Sequence, residues 1–226
     1  MPSLGILGGS FNPPHLGHLR MALEVREQLR LTRIELVPAA IPPHKHGHNL
    51  LPFDLRCRLL RQAVCDQTGI LVNDLESQRN KPSYTYDTLR EYRKRYPQTR
   101  LFFIMGSQDL IHFASWHRVD ALPHLAHLVI VHRGEEDRTR ADRYIMSIWP
   151  ECRITSSGWR LVSGARDIFF LEMHRLDISS SLIREKWQQG KSIRYLVPAS
   201  VERYLEEHRS EVAKIWGREG YGVSTV

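Results

Sequence analysis

The chain has 226 residues, 42% of them hydrophobic and 25% charged, the make-up of a globular protein with an ample core, which sets aside disordered and fibrous classes. Thirty-two Lys and Arg against 25 Asp and Glu leave a formal charge of +7, so the partner is an anionic small molecule or a nucleic acid that the excess charge would steer toward a cleft. Cys57, Cys65 and Cys152 lack C-x-x-C or Cys/His spacing and suit a reducing compartment, while the absence of a signal-peptide pattern or of a run near ~18 apolar residues points to a soluble, cytoplasmic protein.

From Leu4 to Arg20 the sequence reads LGILGGSFNPPHLGHLR. A first strand, Leu4 to Gly8, ends in a Gly-Gly-Ser turn, where missing side chains let backbone approach a ligand closely. A helix starting about Leu16 would aim unpaired N–H groups and its positive dipole end at the same spot. Pro13 and Pro14 stiffen the approach, so His15 and His18, one turn apart, reach one pocket. Together these features predict phosphate binding, whereas the histidines alone would be two surface residues on a βα turn. The turn has neither G-x-G-x-x-G nor a Gly-Lys-Ser/Thr ending, which removes dinucleotide-dependent redox and P-loop hydrolysis.

A second strand, Ile34 to Pro38, leads to Pro42-Pro43-His44-Lys45-His46-Gly47-His48. No carboxylate or cysteine completes a metal set there, so the loop reads as a cationic flap over phosphates or as plain surface, with His44 and Lys45 the candidates. Leu55, Leu59, Leu60, Ala63 and Val64 form a helical apolar stripe before a third strand, Ile70 to Leu75. Tyr86, Leu89 and Tyr96 mark a helix that Pro97 ends, their side chains assigned to the core. The fourth strand, Leu101 to Met105, feeds Gly106-Ser107-Gln108-Asp109 and then Trp116, which either caps the core or stacks on a flat heteroaromatic ring. Strands at Leu128 to His132 and Ile168 to Glu172 precede Asp177-Ile178-Ser179-Ser180-Ser181-Leu182-Ile183-Arg184. A helix cap explains one serine rather than three, and Arg184 adds a forked guanidinium suited to polyphosphate. From Ser179 to about Trp216 the chain reads as helical throughout, with Pro198 opening a new helix.

Strands alternating with helices predict an α/β fold, a Rossmann-like doubly wound parallel sheet with helices on both faces and a helical C-terminal part. One domain is expected over residues 1–216, with 217–226 a flexible tail. In such sheets ligands bind beyond the carboxyl ends of the strands where the strand order reverses, and each polar motif follows a predicted strand, so all should converge on one rim.

Taken in order, the motifs resemble those of bacterial nicotinate-nucleotide adenylyltransferases. The likeness spans Leu4 to about His208 and rests on GGSFNPPHLGH, PPHK, PSYTYDTL at Pro82 to Leu89, FIMGSQDL at Phe103 to Leu110 with Trp116, and ISSSLIR at Ile178 to Arg184. The first and last motifs mark only the wider nucleotidyltransferase superfamily; the middle ones point to its pyridine-nucleotide branch. The resemblance implies transfer of AMP from ATP to nicotinate mononucleotide, giving deamido-NAD and pyrophosphate by direct in-line displacement. It implies Mg²⁺ held mainly by the ATP phosphates, no protein metal site, and no nucleic-acid or membrane partner, and it admits a homo-oligomer. Residues matching Gly8, Gly9, Ser10, Phe11, His15 and His18 would cradle the ATP phosphates, with Ser180, Ser181 and Arg184 completing the triphosphate site. Thr85 and backbone amides around Trp116 and His117 would hold the nicotinate carboxylate while Trp116 lies along the ring. His18 is the expected transition-state donor, His15, Arg184 and Lys45 the other catalytic candidates, and His44 and Lys45 further contacts to the acceptor nucleotide. One departure stands out: the family's acid, two places after the glycine, is Gln108 here, and Asp109 follows it. Either Gln108 takes over the ribose contact or the loop shifts register and Asp109 does. Alternatives are a sister enzyme acting on nicotinamide mononucleotide or phosphopantetheine, the latter expected to lack the Thr85 and Trp116 segments, and a basic RNA-binding module.

Overall fold

The computed structural model describes residues 1–43, 49–132, 136–161, 166–174 and 176–217, with Glu136 and Asp137 described as backbone alone. Strand β1 (Ser3–Gly9) runs into α1 (Leu16–Gln28) and β2 (Arg33–Pro38), followed by α2 (Phe53–Ala63) and β3 (Ile70–Val72). Next come α3 (Thr85–Arg95), β4 (Arg100–Gly106), the single-turn helices α4 (Leu110–Phe113) and α5 (Leu122–Leu125), and β5 (His127–His132). Helix α6 (Glu136–Ile148) leads to β6 (Arg153–Thr155), β7 (Gly158–Arg160) and β8 (Ile168–Glu172). Helices α7 (Ser180–Gln188), α8 (Ala199–Glu207) and α9 (Arg209–Trp216) complete the described chain.

The strands form one sheet in the order β3-β2-β1-β4-β5-β8-β7-β6. From β3 to β8 every pair is parallel; β7 and β6 then add an antiparallel edge. Buried on both faces, the central strands need apolar side chains at every position, which is why they read as continuous hydrophobic runs. Leu4, Ile6, Leu101, Phe103, Leu128 and Ile130 turn to a core closed by Leu89 and Tyr92 of α3, Leu110 and Phe113 of α4, Leu122 of α5 and Ala141 and Ile145 of α6. Leu7, Phe102, Ile104, Val129 and Val131 turn to the opposite core, closed by α1, α2 and α7 to α9 through Val25, Leu59, Ile183, Leu205 and Val212. The doubly wound α/β expectation therefore holds, and the strand order reverses between β1 and β4.

The structure departs from the sequence reading in three places. Strand β3 stops at Val72 instead of reaching Leu75, because the Asn73 side chain accepts the Leu75 N–H at 3.0 Å and turns the backbone into a 3-10 turn at Leu75–Gln78. The C-terminal part is not helical throughout: α7 ends in a Schellman motif, with Gly190 at φ +68°, its N–H donating to Trp187 O at 3.0 Å and Lys191 N–H donating to Lys186 O at 2.8 Å. Residues 189–198 form an irregular loop, and Pro198 caps α8 as expected. The β6–β7 hairpin and α6 were not anticipated. Among the described residues no helix is long and apolar enough to cross a membrane.

Candidate active site

At the carboxyl ends of β1 and β4 lies a cleft of about 1240 Å³. Residues 8–10, 42–43, 107–109 and 179–181 all line it, so the four motifs meet on one rim; Thr85, Trp116, His117, His15 and His18 complete the wall. Two expected site residues are not on that wall, Phe11 and Arg184, and two others, His44 and Lys45, lie outside the described residues.

Phe11 occupies the left-handed region at φ +46°, and its ring folds back so closely that a Cβ on Gly9 would sit 3.2 Å from it. Buried in the core, the ring meets His18 edge-on at 4.9 Å, so Phe11 buttresses the histidine from behind. His15 caps α1 in extended geometry and donates its backbone N–H to His18 Nδ1 at 3.2 Å, while the two imidazoles stack at 3.6 Å. An Nδ1 that accepts this bond leaves neutral His18 with its proton on Nε2, which makes that nitrogen a donor. The helix start itself is less open than the sequence suggests. Leu16 N–H already donates to Leu196 O at 3.0 Å, because the loop between α7 and α8 rests against the first turn of α1.

The three serines divide three tasks. Ser179 caps α7 by accepting Leu182 N–H at 3.1 Å, Ser180 donates its hydroxyl to Pro13 O at 2.8 Å, and Ser181 Oγ accepts from Arg184 Nη2 at 3.1 Å. Arg184 Nη1 donates to Asn12 O at 2.8 Å. Half-buried, with a pKa lowered by desolvation, its guanidinium fastens α7 to the β1–α1 turn behind the cleft wall. The Asn12 side chain extends this network: Nδ2 donates to Asn49 O at 2.7 Å and Oδ1 accepts Leu51 N–H at 3.0 Å.

Across the cleft, Thr85 is the first residue of α3. Tyr84 before it stacks on His117 at 4.6 Å, Tyr86 meets the same ring edge-on at 6.0 Å, and Arg118 lies 4.9 Å over Tyr86. Trp116 packs edge-on against Phe113 at 5.1 Å and Phe103 at 6.1 Å while lining the cleft, so it both caps the core and faces a ligand. Its backbone N–H donates to Phe113 O at 3.0 Å and is not free for a carboxylate; no backbone carbonyl among the described residues takes the His117 N–H. In the turn at Ser107–Asp109, Asp109 Oδ2 accepts Gly106 N–H at 3.2 Å, whereas the Gln108 amide makes no hydrogen bond among the described residues.

Tyr84 and Glu76 are among the wall residues that escaped the sequence reading. Tyr84 was inside a quoted motif but only its neighbour Thr85 was singled out. Glu76 had no pattern to reveal it: a buried carboxylate whose Oε1 accepts the Thr88 hydroxyl at 2.5 Å, 3.7 Å from Arg79 Nη2, and whose Oε2 accepts Ala40 N–H at 3.4 Å. Beside it, Ile41 N–H donates to Ser83 Oγ at 3.0 Å and Ser83 N–H to Ile41 O at 2.8 Å, which joins the segment after β2 to the one before α3.

Comparison with known proteins agrees with this architecture. A family model described as cytidylyltransferase-like matches residues 6–186. A Geobacter metallireducens protein named "probable nicotinate-nucleotide adenylyltransferase" is 41% identical over 207 residues, covering 91% of this chain and 96% of the relative. One of the same name from Maridesulfovibrio salexigens is 37% identical over 216 residues, covering 94% and 99%. Among solved structures, Plasmodium falciparum nicotinic acid mononucleotide adenylyltransferase complexed with NaAD has the same fold, with a TM-score of 0.70 at 19% identity over 93% of this chain and 98% of that one. On these matches, the chain belongs to the nicotinate-nucleotide adenylyltransferase family within the cytidylyltransferase-like nucleotidyltransferases.

Proposed function

We propose that the cleft joins the AMP of ATP to nicotinate mononucleotide, forming deamido-NAD and pyrophosphate. The observation that carries this reading is one cavity with two chemically different ends: a glycine turn with stacked histidines and serines at one, and Thr85, Trp116 and His117 at the other. At about 1240 Å³ it exceeds the ~300–1,000 Å³ of ordinary small-ligand sites, which suits two nucleotides held together.

A phosphate oxygen of the mononucleotide forms a bond to the α-phosphorus of ATP as the bond from that phosphorus to the bridging oxygen of pyrophosphate breaks. The acceptor phosphate is already ionised near neutral pH, so no general base is needed; alignment and charge stabilisation are the protein's work. Nε2–H of His18 is the donor aimed at the developing charge, and Gly8, Gly9, Ser10, His15 and Ser181 line the phosphates. Arg184, with Nη1 on Asn12 O and Nη2 on Ser181 Oγ, would turn its remaining N–H groups to a phosphate, and Gln108, on the cleft wall, would take the ribose contact. Of the cleft carboxylates Glu76, Asp109 and Asp177, the first two accept the Thr88 hydroxyl and Gly106 N–H, and among the described residues no three ligating side chains cluster, which fits Mg²⁺ arriving on the ATP phosphates, where it would draw charge from them.

Acceptor choice tests the reading. Thr85 and the His117 amide can each donate to one oxygen of a carboxylate, while nicotinamide brings a single, uncharged acceptor oxygen and must use the Thr85 hydroxyl as acceptor for its NH₂, losing the charge-assisted bonds at about 1–3 kcal/mol. Glu76, a carboxylate on the same wall, already receives the Thr88 hydroxyl and Ala40 N–H. Pyrophosphate release should therefore favour the acid over nicotinamide mononucleotide by about 10²-fold in kcat/KM. Equal efficiencies, or release with phosphopantetheine instead, would overturn it.

A further inference from the structure

Arg56 on α2 is 1% exposed, yet its guanidinium bonds to carbonyl oxygens rather than to a carboxylate: Nε donates to Leu51 O at 2.9 Å and Nη1 to Ser10 O at 2.8 Å. Burying a cation whose direct hydrogen-bond partners are neutral is unfavourable, and desolvation pulls its pKa down, only partly offset by Cys57 and the Glu76 carboxylate. Its position offers a reason. Ser10 lines the cleft, and Arg56 reaches the same residue from within the core. In a planar trans peptide C=O and N–H point opposite ways, so drawing the Ser10 carbonyl onto Arg56 turns Phe11 N–H away from it. That amide makes no hydrogen bond among the described residues, and Phe11 holds the left-handed φ of +46° that such a turn requires. Backbone N–H groups in turns of this kind form anion-binding concavities.

From this geometry we infer that Arg56 is a positioning residue for the ATP phosphates: it fixes the backbone of Ser10, which lines the cleft where Phe11 does not, and places positive charge beneath the turn without touching substrate. The inference rests on the reaction assigned above. Arg56→Met and Arg56→Lys are compared with Leu60→Ala, a core truncation on the same helix. Arg56→Met should raise both KM for ATP and the calorimetric Kd of Mg²⁺–ATP by at least about tenfold while KM for the mononucleotide stays within about twofold. Arg56→Lys restores the charge but not the two-pronged bond and should recover part of the loss, to about threefold above the parent. Leu60→Ala should lower Tm and leave both constants unmoved. If Arg56→Met lowers Tm as Leu60→Ala does but keeps the parent Kd for ATP, Arg56 merely packs and the inference fails. Should Arg56→Met not fold, Arg56→Lys decides by the same split, parental ATP affinity counting against. Calorimetry needs no turnover, so a parent that binds ATP but releases no pyrophosphate sinks the assigned reaction while the Arg56 comparison is still read.

Discussion

On the β1–α1 side the cleft wall is a glycine turn with the stacked imidazoles of His15 and His18 and the α7 serines, tied together by Arg56, Asn12, Arg184 and Ser180; on the α3 side it is Thr85, Trp116 and His117, braced by Tyr84, Phe103 and Phe113. A turn read through its amides accepts any polyphosphate of the right shape, whereas a wall of hydroxyl, indole and imidazole reads one particular ring and its substituent. On the reaction proposed above, the difference would put the general nucleotidyl-transfer machinery at one end and acceptor choice at the other.

The comparison is most sharply broken at His18. With Nδ1 accepting the His15 N–H, neutral His18 carries its proton on Nε2, and on the proposed reaction His18→Ala should lower kcat about 10²–10³-fold with little change in ATP affinity. A turnover within about threefold of the parent in steady-state kinetics would make His18 structural.

A smaller effect separates two glycines of β1. A Cβ at Gly5 would lie 2.9 Å from Ile34, 3.0 Å from Leu31 and 3.1 Å from Ile104, so Gly5→Ala overpacks the core and should cost about 1–3 kcal/mol of stability with kinetics unchanged. At Gly8 a Cβ would meet only Phe103, at an ordinary 3.5 Å, on the cleft wall. The fold does not demand that glycine; on the proposed reading, a closely seated ligand would. Gly8→Ala should keep its Tm but raise KM for ATP about tenfold, as read by thermal melts beside initial rates.

How much of this was legible in the sequence follows the same division. The β1–α1 turn announced itself because glycines, prolines and a paired histidine are local signals, and the central strands because parallel sheets demand unbroken apolar runs. What was missed depends on distance in sequence. Arg56 and Glu76 look like ordinary helix-face charges until the fold buries them against Ser10 and Thr88. For Arg184, no local pattern shows that it also bonds the carbonyl of Asn12, 172 residues earlier. Strands β6 and β7 are three residues each, too short for any period to register, although Thr155-Ser156-Ser157-Gly158 carries turn chemistry and Gly158 at φ +146° passes so close to Ile168 O that no side chain fits. Gly190 was a readable stop signal for α7 that the apolar pattern around it obscured.

The central claim, that the two ends act separately, is tested most directly by measuring both Michaelis constants in Gly8→Ala and Trp116→Ala under one pH and one Mg²⁺ concentration. Losing the indole face should cost about 1–3 kcal/mol of stacking, so Trp116→Ala is expected to raise KM for nicotinate mononucleotide roughly tenfold and leave KM for ATP within about twofold. Gly8→Ala should show the reverse. Both constants rising together in both variants would mean that the cleft reads its two nucleotides as one unit, contrary to the division drawn here.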